Sequence, residues 1–139
     1  MAAVTRIATA HPIMPPGYED TAAIHTTAGE ALEAGDLVYL DGTDGWKLAT
    51  ETEAVAGKQL GFAAQDYMSG EVGISILLRG EMEYGSGMTP GDPLWPGAVA
   101  GDLDDTAPDF YAAATTPAVA VPLTPNIHAM SATAIRFQF

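Results

Sequence analysis

One stretch of the chain, residues 70–84, alternates in polarity over a longer distance than any other. Before Gly80, one set of alternating positions carries Val72, Ile74, Ile76 and Leu78, and the other carries Gly73, Ser75, Leu77 and Arg79. Because a strand points successive side chains to opposite faces, this spacing predicts a strand with one buried face. Gly80 permits a bend or a bulge. Beyond it, two apolar residues alternate with two glutamates, which predicts a second strand or a bent continuation, with Met82 and Tyr84 buried and Glu81 and Glu83 solvated.

Shorter runs with the same character are separated by turns rich in Gly and Pro. They predict strands at residues 22–27, 37–40, 46–49, 60–64, 110–114, 117–123 and 134–139, with a hairpin turn at residues 41–45. Residues 50–58 fit a loop or one short helix. Residues 93–96 fit an edge strand at best, because proline cannot donate to a sheet ladder. Closely spaced strands with almost no helix predict an all-β fold, a small antiparallel barrel or sandwich with at most one short helix.

Residues 1–21 differ from the rest of the chain and predict an extended N-terminal arm. Residues 4–9 alternate and could form a short strand, and Pro12, Pro15 and Pro16 then exclude a helix or a central strand. A chain of 139 residues suits one domain. We therefore expect a single β domain at residues 22–139, preceded by the arm.

Charge is the strongest signal in the composition. Eighteen acidic residues face five basic ones, which gives a formal net charge of −13. A protein that binds nucleic acid or an anionic membrane needs clustered basic residues, and here they are scattered, at Arg6, Lys47, Lys58, Arg79 and Arg136. The composition therefore predicts no nucleic-acid partner and no membrane partner. The acidic surplus fits a role in solubility or a high-salt habitat.

The sequence contains no cysteine, which excludes disulfides and thiolate metal sites. Its apolar runs are shorter than the roughly 20 residues of a membrane helix, and its N-terminus lacks the layout of a signal peptide. We therefore expect a soluble protein that is synthesised in the cytoplasm.

No residue pattern in the sequence points to catalysis, to a metal or to a cofactor. None of the histidines has a second ligand at helical spacing; they are His11, His25 and His128. The acidic loop at residues 102–109 does not follow a calcium-loop pattern and fits a solvated turn; its first acids are Asp102, Asp104 and Asp105. Phosphate-binding glycine loops and nucleophile elbows are absent from the sequence. We therefore predict a protein that is not an enzyme, with no catalytic residue, no metal and no cofactor.

Two segments of the sequence echo each other. Residues 33–39, Glu-Ala-Gly-Asp-Leu-Val-Tyr, share a Gly-Asp pair, an aliphatic residue and a final aromatic with residues 89–95, Thr-Pro-Gly-Asp-Pro-Leu-Trp. The match allows two interpretations, an internal repeat or a Gly-Asp turn that enters a strand at two unrelated places. We favour the common turn, because the period is not sustained along the chain.

Several segments together resemble the small capsid decoration proteins of tailed bacteriophages. They are residues 29–42 (Gly-Glu-Ala-Leu-Glu-Ala-Gly-Asp-Leu-Val-Tyr-Leu-Asp-Gly), 60–64 (Leu-Gly-Phe-Ala-Ala), 70–76 (Gly-Glu-Val-Gly-Ile-Ser-Ile), 80–82 (Gly-Glu-Met) and 135–139 (Ile-Arg-Phe-Gln-Phe). The resemblance covers residues 22–139 and rests on turns and strands, without a catalytic motif. It implies a compact β barrel or β-tulip-like sandwich.

The resemblance also implies a function. It implies a homotrimer that sits on the outer surface of the capsid in the virion and cements neighbouring subunits of the major capsid protein, next to other decoration protomers. An N-terminal arm in this family contacts the capsid or a neighbour, so the expected capsid-binding residues are Val4, Arg6, Ile7, Ile13 and Met14. Basic and aromatic side chains suit the subunit interface of an acidic trimer, where the candidates are Arg79, Trp95 and Arg136.

Two other functions remain open from the residues. Trp46 and Trp95 could stack on sugars, as in a receptor- or glycan-binding β module of a head fibre, tail fibre or baseplate. A small trimeric β enzyme that hydrolyses nucleotides would need clustered basic residues for the phosphates, and this sequence has few. If the arm alone binds the capsid, deletion of residues 2–16 should leave a folded trimer that no longer binds.

Overall fold

The computed structural model describes residues 4–12, 20–21, 27–43, 45–106 and 127–139. The protein is mostly β, and one antiparallel sheet curls into a half-barrel, which confirms the predicted all-β class. The described strands are β1 Thr5–Pro12, β2 Asp20–Thr21, β3 Leu37–Asp41, β4 Gly45–Leu48, β5 Leu60–Ala63, β6 Ile76–Ser86, β7 Pro93–Pro96, β8 Leu103–Asp104, β9 Ile127–Ala129 and β10 Ala134–Gln138. The described helix is α1, Glu51–Val55.

The strands follow the order β4-β3-β5-β6-β10-β9-β7-β8, and β1 and β2 also pair with β6. Curling brings the far end of the sheet back to its beginning. The amide of Leu37, at the start of β3, donates to the carbonyl oxygen of Gly101 at 3.0 Å, and the amide of Val4 donates to that of Leu103 at 2.9 Å. The start of β3, the residue before β1 and residues 101–103 at the start of β8 therefore meet at one place, which we call the seam.

Residues 76–84 of the long alternating stretch lie in one strand, because β6 runs through Gly80 without interruption. Met82 and Tyr84 are buried, as predicted, while the two glutamates beside them are half-buried. Leu77 belongs to the same apolar cluster as Met82, although five positions separate them. An odd spacing puts two side chains on opposite faces of a regular strand. The alternation therefore shifts by one near Gly80, where φ is 155° and a bend or bulge was expected.

Apolar side chains pack on both faces of this sheet. The first cluster includes Leu37, Phe62, Leu77, Met82, Tyr84, Leu94, Ile127, Ile135 and Phe137. The second cluster consists of Ala28, Leu32, Val38, Trp46, Ala63, Tyr67, Ile74 and Ile76. Ile76 and Leu77 are neighbours in β6 and belong to different clusters, so the two clusters lie on opposite faces at that point. The prediction of one buried face is therefore wrong for the start of β6.

The same prediction is wrong for Val72, whose side chain is 73% exposed. Val72 precedes β6 and forms an isolated antiparallel bridge with Thr27. Its amino-acid type fits a strand, but it lies in a turn that leads into β6.

The C-terminal strand is confirmed in its position and its alternation. Ile135 and Phe137 of β10 are buried, and Arg136 and Gln138 are exposed. β10 lies between β6 and β9, so its apolar face completes the first cluster. Phe137 stacks edge-on against Phe62 of β5, with ring centroids 4.7 Å apart.

Two smaller elements also bear on the predictions. The predicted short helix is α1, and Thr50 and Glu53 form a capping box at its start. The strand at residues 93–96 is β7, which lies between β9 and β8 and not at the sheet edge. Its two prolines are its first and last residues, where the missing N–H groups interrupt the ladder least.

Residues of the predicted arm take part in the sheet. β1 is extended, as expected, and pairs antiparallel with β6, from Thr5 opposite Ser86 to Pro12 opposite Met82. The sheet thus continues across the boundary proposed at residues 21 and 22. The strands predicted at residues 110–114 and 117–123, and most of the one at 22–27, lie outside the described residues.

Candidate binding surfaces

The residues expected to bind a capsid are already engaged within the chain where the structure describes them. Val4 is 8% exposed and lies in the first cluster, and Ile7 packs against that cluster. The side chain of Arg6 is 16% exposed and forms an ion pair with Asp36. Ile13 and Met14 lie outside the described residues.

The ion pair at the seam joins β1 to the turn before β3. Arg6 Nη1 lies 2.5 Å from Asp36 Oδ1, and the other carboxylate oxygen of Asp36 accepts the amide of Glu33 at 2.6 Å. The Glu33 carboxylate lies 3.5 Å from Arg6 Nη2 and is largely exposed. Burial alone would lower the pKa of Arg6, but the hydrogen bond and the charge of Asp36 outweigh it and raise the pKa. Arg6 therefore stays protonated, and its ion pair with Asp36 ties β1 to the turn before β3.

A groove of about 590 Å³ opens beside this ion pair. Its lining residues come from β1, from the turn before β3, and from two loops: Val4, Thr5, Arg6, Ile7, Glu33, Ala34, Asp66 and Asp102. Arg6 is neutralised by Asp36, and Asp66 accepts the amide of Ala34 at 2.8 Å. The other charged side chains in the lining are acidic, so the groove attracts a cationic side chain electrostatically.

A second surface is apolar. Met68 is 74% exposed and Val72 is 73% exposed, and a tight turn joins them, in which the amide of Glu71 donates to the Met68 carbonyl oxygen at 3.0 Å. We call residues 68–72 the apolar turn. The amide of Gly70 donates to the Ala28 carbonyl oxygen at 2.8 Å, which ties the turn to the body of the protein. Met68 and Val72 are thus exposed to solvent on a turn whose backbone is hydrogen-bonded to the rest of the protein.

The candidate interface residues lie on the sheet. Arg79 is exposed and stands opposite Gln138 in the ladder of β6 and β10. Arg136 stands opposite Glu81 in the same ladder, two positions further along β6, and its Nη2 lies 3.0 Å from Glu81 Oε1. Trp95 is half-buried in β7, two strands away from β10. The fold brings the two arginines onto adjacent strands and leaves Trp95 apart from them.

Trp46 is buried, with 1% of its surface exposed, and belongs to the second cluster. The suggestion that it serves as an exposed platform for sugars is therefore wrong. Trp95 keeps part of its surface exposed.

The acidic segment after β7 is not simply a solvated turn. Asp104 lies in β8 and is 6% exposed, and its Oδ1 has no hydrogen-bond partner among the described residues. Burial raises the pKa of Asp104, and the charges of Asp105 and Asp102 raise it further. Within the described ranges, no three His, Asp or Glu side chains come together in a way that could hold a metal ion.

Sequence reasoning missed the pairing of Arg6 with Asp36, since 30 positions separate them and Asp36 belongs to a turn motif. It also missed the buried hydroxyl of Tyr84. Burial raises the pKa of Tyr84, and the nearby charge of Arg6 opposes this shift. Alternation predicted that Tyr84 is buried, but it gave no information on what surrounds the hydroxyl.

Comparison of the chain with protein-family models, with curated proteins and with solved structures found no match. Among the described residues, no helix has the length and the apolar character that crossing a membrane requires.

Proposed function

We propose that this chain is a structural virion protein. It decorates the outer surface of a phage capsid as a homotrimer and cements neighbouring subunits of the major capsid protein. The observation that carries this proposal is where the fold places the segments that resemble decoration proteins. Parts of the segments at residues 29–42, 60–64, 70–76, 80–82 and 135–139 lie in β3, β5, β6 and β10, which are consecutive neighbours in the sheet.

This adjacency supports the resemblance because the segments are far apart along the chain. Residues 29–42 and 135–139 share no local structure, yet only β5 and β6 separate their strands in the sheet. The resembling segments thus belong to one continuous part of the sheet, which is what a shared scaffold requires.

The apolar turn suits attachment to a larger protein surface. A cementing protein stabilises a lattice by binding the assembled form and not the free subunits. Such binding needs apolar side chains held in a fixed position, since side chains that are already ordered lose less entropy on docking. Met68 and Val72 meet this requirement, and the apolar turn is anchored to Ala28.

The expected role of the arm changes in view of β1. The side chains of Val4, Arg6 and Ile7 pack against the chain itself, so a capsid could contact them in place only through the groove that they line. Deletion of residues 2–16 would remove a sheet strand together with the contacts of Arg6. It would test folding as much as binding, so the apolar turn offers a cleaner test of attachment.

The test measures co-sedimentation of the purified protein with expanded shells of the major capsid protein from the same virus. Wild type should bind, and Met68→Ser combined with Val72→Thr should bind at least tenfold more weakly, at an unchanged melting temperature. Val99→Thr is a matched control, since Val99 is 60% exposed on a different turn. If the wild-type protein does not co-sediment with the shells and binds glycans, the proposal is overturned in favour of a fibre or baseplate module.

A further inference from the structure

We infer that the described β domain consists of two copies of one four-stranded unit. Unit A contains β3 to β6 and unit B contains β7 to β10. In unit A the sheet order is β4-β3-β5-β6, and in unit B it is β8-β7-β9-β10. The second order is the first with every strand number raised by four. The two units meet at the β6–β10 ladder.

The turn that opens each unit has the same backbone structure. In unit A, Gly35 has φ 86° and the amide of Asp36 donates to the Glu33 carbonyl oxygen at 3.0 Å. In unit B, Gly91 has φ 88° and the amide of Asp92 donates to the Thr89 carbonyl oxygen at 3.1 Å. Both glycines occupy the left-handed region, where other residues are strained. These are the Gly-Asp pairs of the two echoing segments.

The two turns also bond to the same position of the neighbouring strand. In unit A, the Gly35 amide donates to the Ala63 carbonyl oxygen at 2.9 Å, and the Ala63 amide donates back to the Asp36 carbonyl oxygen at 2.9 Å. In unit B the corresponding bonds join Gly91, Ala129 and Asp92, at 2.7 Å and 2.9 Å. The third strand of each unit therefore carries an alanine at the equivalent point.

The next rung of each ladder continues the match. Ala63 stands opposite Ile76 of β6, and Ala129 stands opposite Ile135 of β10. Gly, Asp, Ala and Ile thus recur at four equivalent positions, which lie on three different strands or turns of each unit. A common Gly-Asp turn explains the first two positions and leaves the alanines, the isoleucines and the strand order unexplained.

The register of the ladders inside each unit matches as well. In unit A, Leu37 stands opposite Phe62, which stands opposite Leu77. In unit B, the residues at the corresponding positions, Pro93, His128 and Arg136, stand opposite one another in the same way. The interpretation that the echo is a chance recurrence of a common turn gives way to an internal repeat.

The test grafts the opening segment of unit A onto unit B in the full-length protein. Residues 89–95 receive the sequence of residues 33–39 through Thr89→Glu, Pro90→Ala, Pro93→Leu, Leu94→Val and Trp95→Tyr. If the two segments are equivalent, the graft keeps the fold with a melting temperature lowered by no more than about 10 °C. The amides of residues 91 and 129 stay protected from hydrogen exchange, because their reciprocal bonds are retained.

The matched control places the same seven residues one position later, at residues 90–96. Its Gly then falls at position 92, so the melting temperature should fall further and the amides of residues 91 and 129 should lose protection. The inference is overturned if the in-register graft loses this protection, or if its melting temperature falls as far as that of the shifted graft.

Discussion

The Asp36 carboxylate is buried and forms an ion pair with Arg6 of β1. Replacement by alanine would leave the Arg6 guanidinium with only the more distant and largely exposed Glu33 carboxylate, and it would leave the Glu33 amide without its acceptor. We expect Asp36→Ala to lower the free energy of unfolding by about 1 to 3 kcal/mol, measured by urea denaturation at neutral pH.

The ion pair of Arg136 with Glu81 provides the control for that measurement. Its N–O distance is 3.0 Å, but the side chain of Arg136 is 67% exposed, so water screens the interaction. Glu81→Gln should change the free energy of unfolding by less than about 1 kcal/mol. If Asp36→Ala and Glu81→Gln lower the free energy of unfolding by similar amounts, burial is not the reason that Asp36 stabilises the fold.

Asp104 is a buried acid whose Oδ1 lacks a hydrogen-bond partner within the described residues. Burial is the largest cause that raises the pKa of Asp104 above its ordinary value of 3.8. The folded protein therefore binds a proton at Asp104 more tightly than the unfolded chain does. The charged form therefore destabilises the fold above the raised pKa, and this penalty disappears as the pH falls to 3.8. Asp104→Asn should stabilise the protein by about 1 kcal/mol at pH 7.

The pH dependence of that gain decides the interpretation. Melting temperatures of Asp104→Asn and wild type should converge as the pH approaches 4. Asp105→Asn is the comparison, since Asp105 is exposed in the same segment and contributes only through its charge, which raises the pKa of Asp104 less than burial does. Its gain should be smaller than that of Asp104→Asn. A gain from Asp104→Asn that persists undiminished at pH 4 would exclude the buried charge as its cause.

At the scale of elements, the sequence predicts strands well where one face is polar and the partner strands are regular. The alternation of residues 134–139 is sufficient to predict β10 and its two buried side chains, Ile135 and Phe137. Alternation fails to predict burial at the start of β6, because residues 27–32 and 64–75 pack on the second face of the sheet there. That packing depends on residues distant in the sequence, so the local pattern does not reveal it. The candidate site was less predictable still, since Arg6 and Asp36 come together only when β1 joins the sheet.

β1 depends on a close backbone approach to β6, and one glycine makes that approach possible. A Cβ added to Gly85 would lie 2.3 Å from the Thr5 carbonyl oxygen, which is closer than real Cβ atoms come. We expect Gly85→Ala to displace β1 and to lower the free energy of unfolding by about 1 to 3 kcal/mol. Limited proteolysis should then cut the chain near residues 5–12 faster than in wild type.

Gly42 offers a control of the same kind, since a Cβ added there meets no atom within 4 Å among the described residues. Gly42→Ala should leave both stability and the proteolytic pattern close to wild type. If Gly85→Ala behaves like Gly42→Ala, then β1 pairs with β6 more loosely than the distance implies.

At the scale of the whole molecule, the seam and the two units explain how a sheet with short strands holds together. Unit A and unit B share the β6–β10 ladder at the centre, and the seam joins their outer ends through Leu37 and Gly101. Val4, the residue before β1, adds a further backbone hydrogen bond to Leu103. The N-terminal residues therefore stabilise the half-barrel itself, and any capsid contact that needs them free must compensate for opening the seam.

The net charge of −13 sets the conditions under which a trimer can form. A trimer gathers three times that charge, and repulsion among exposed charges is screened over about 10 Å at 0.1 M salt. We therefore expect association to strengthen with sodium chloride, from mostly monomer of 14.4 kDa at about 0.01 M to mostly trimer at about 0.5 M, measured by sedimentation equilibrium. Glycerol at equal osmolality should have no such effect, because it adds no ions.

The opposite dependence on salt would have a different meaning. A trimer that dissociates as the salt concentration rises would indicate that ion pairs of Arg79 or Arg136 dominate the interface. A protein that stays monomeric at every salt concentration would contradict the proposed trimer.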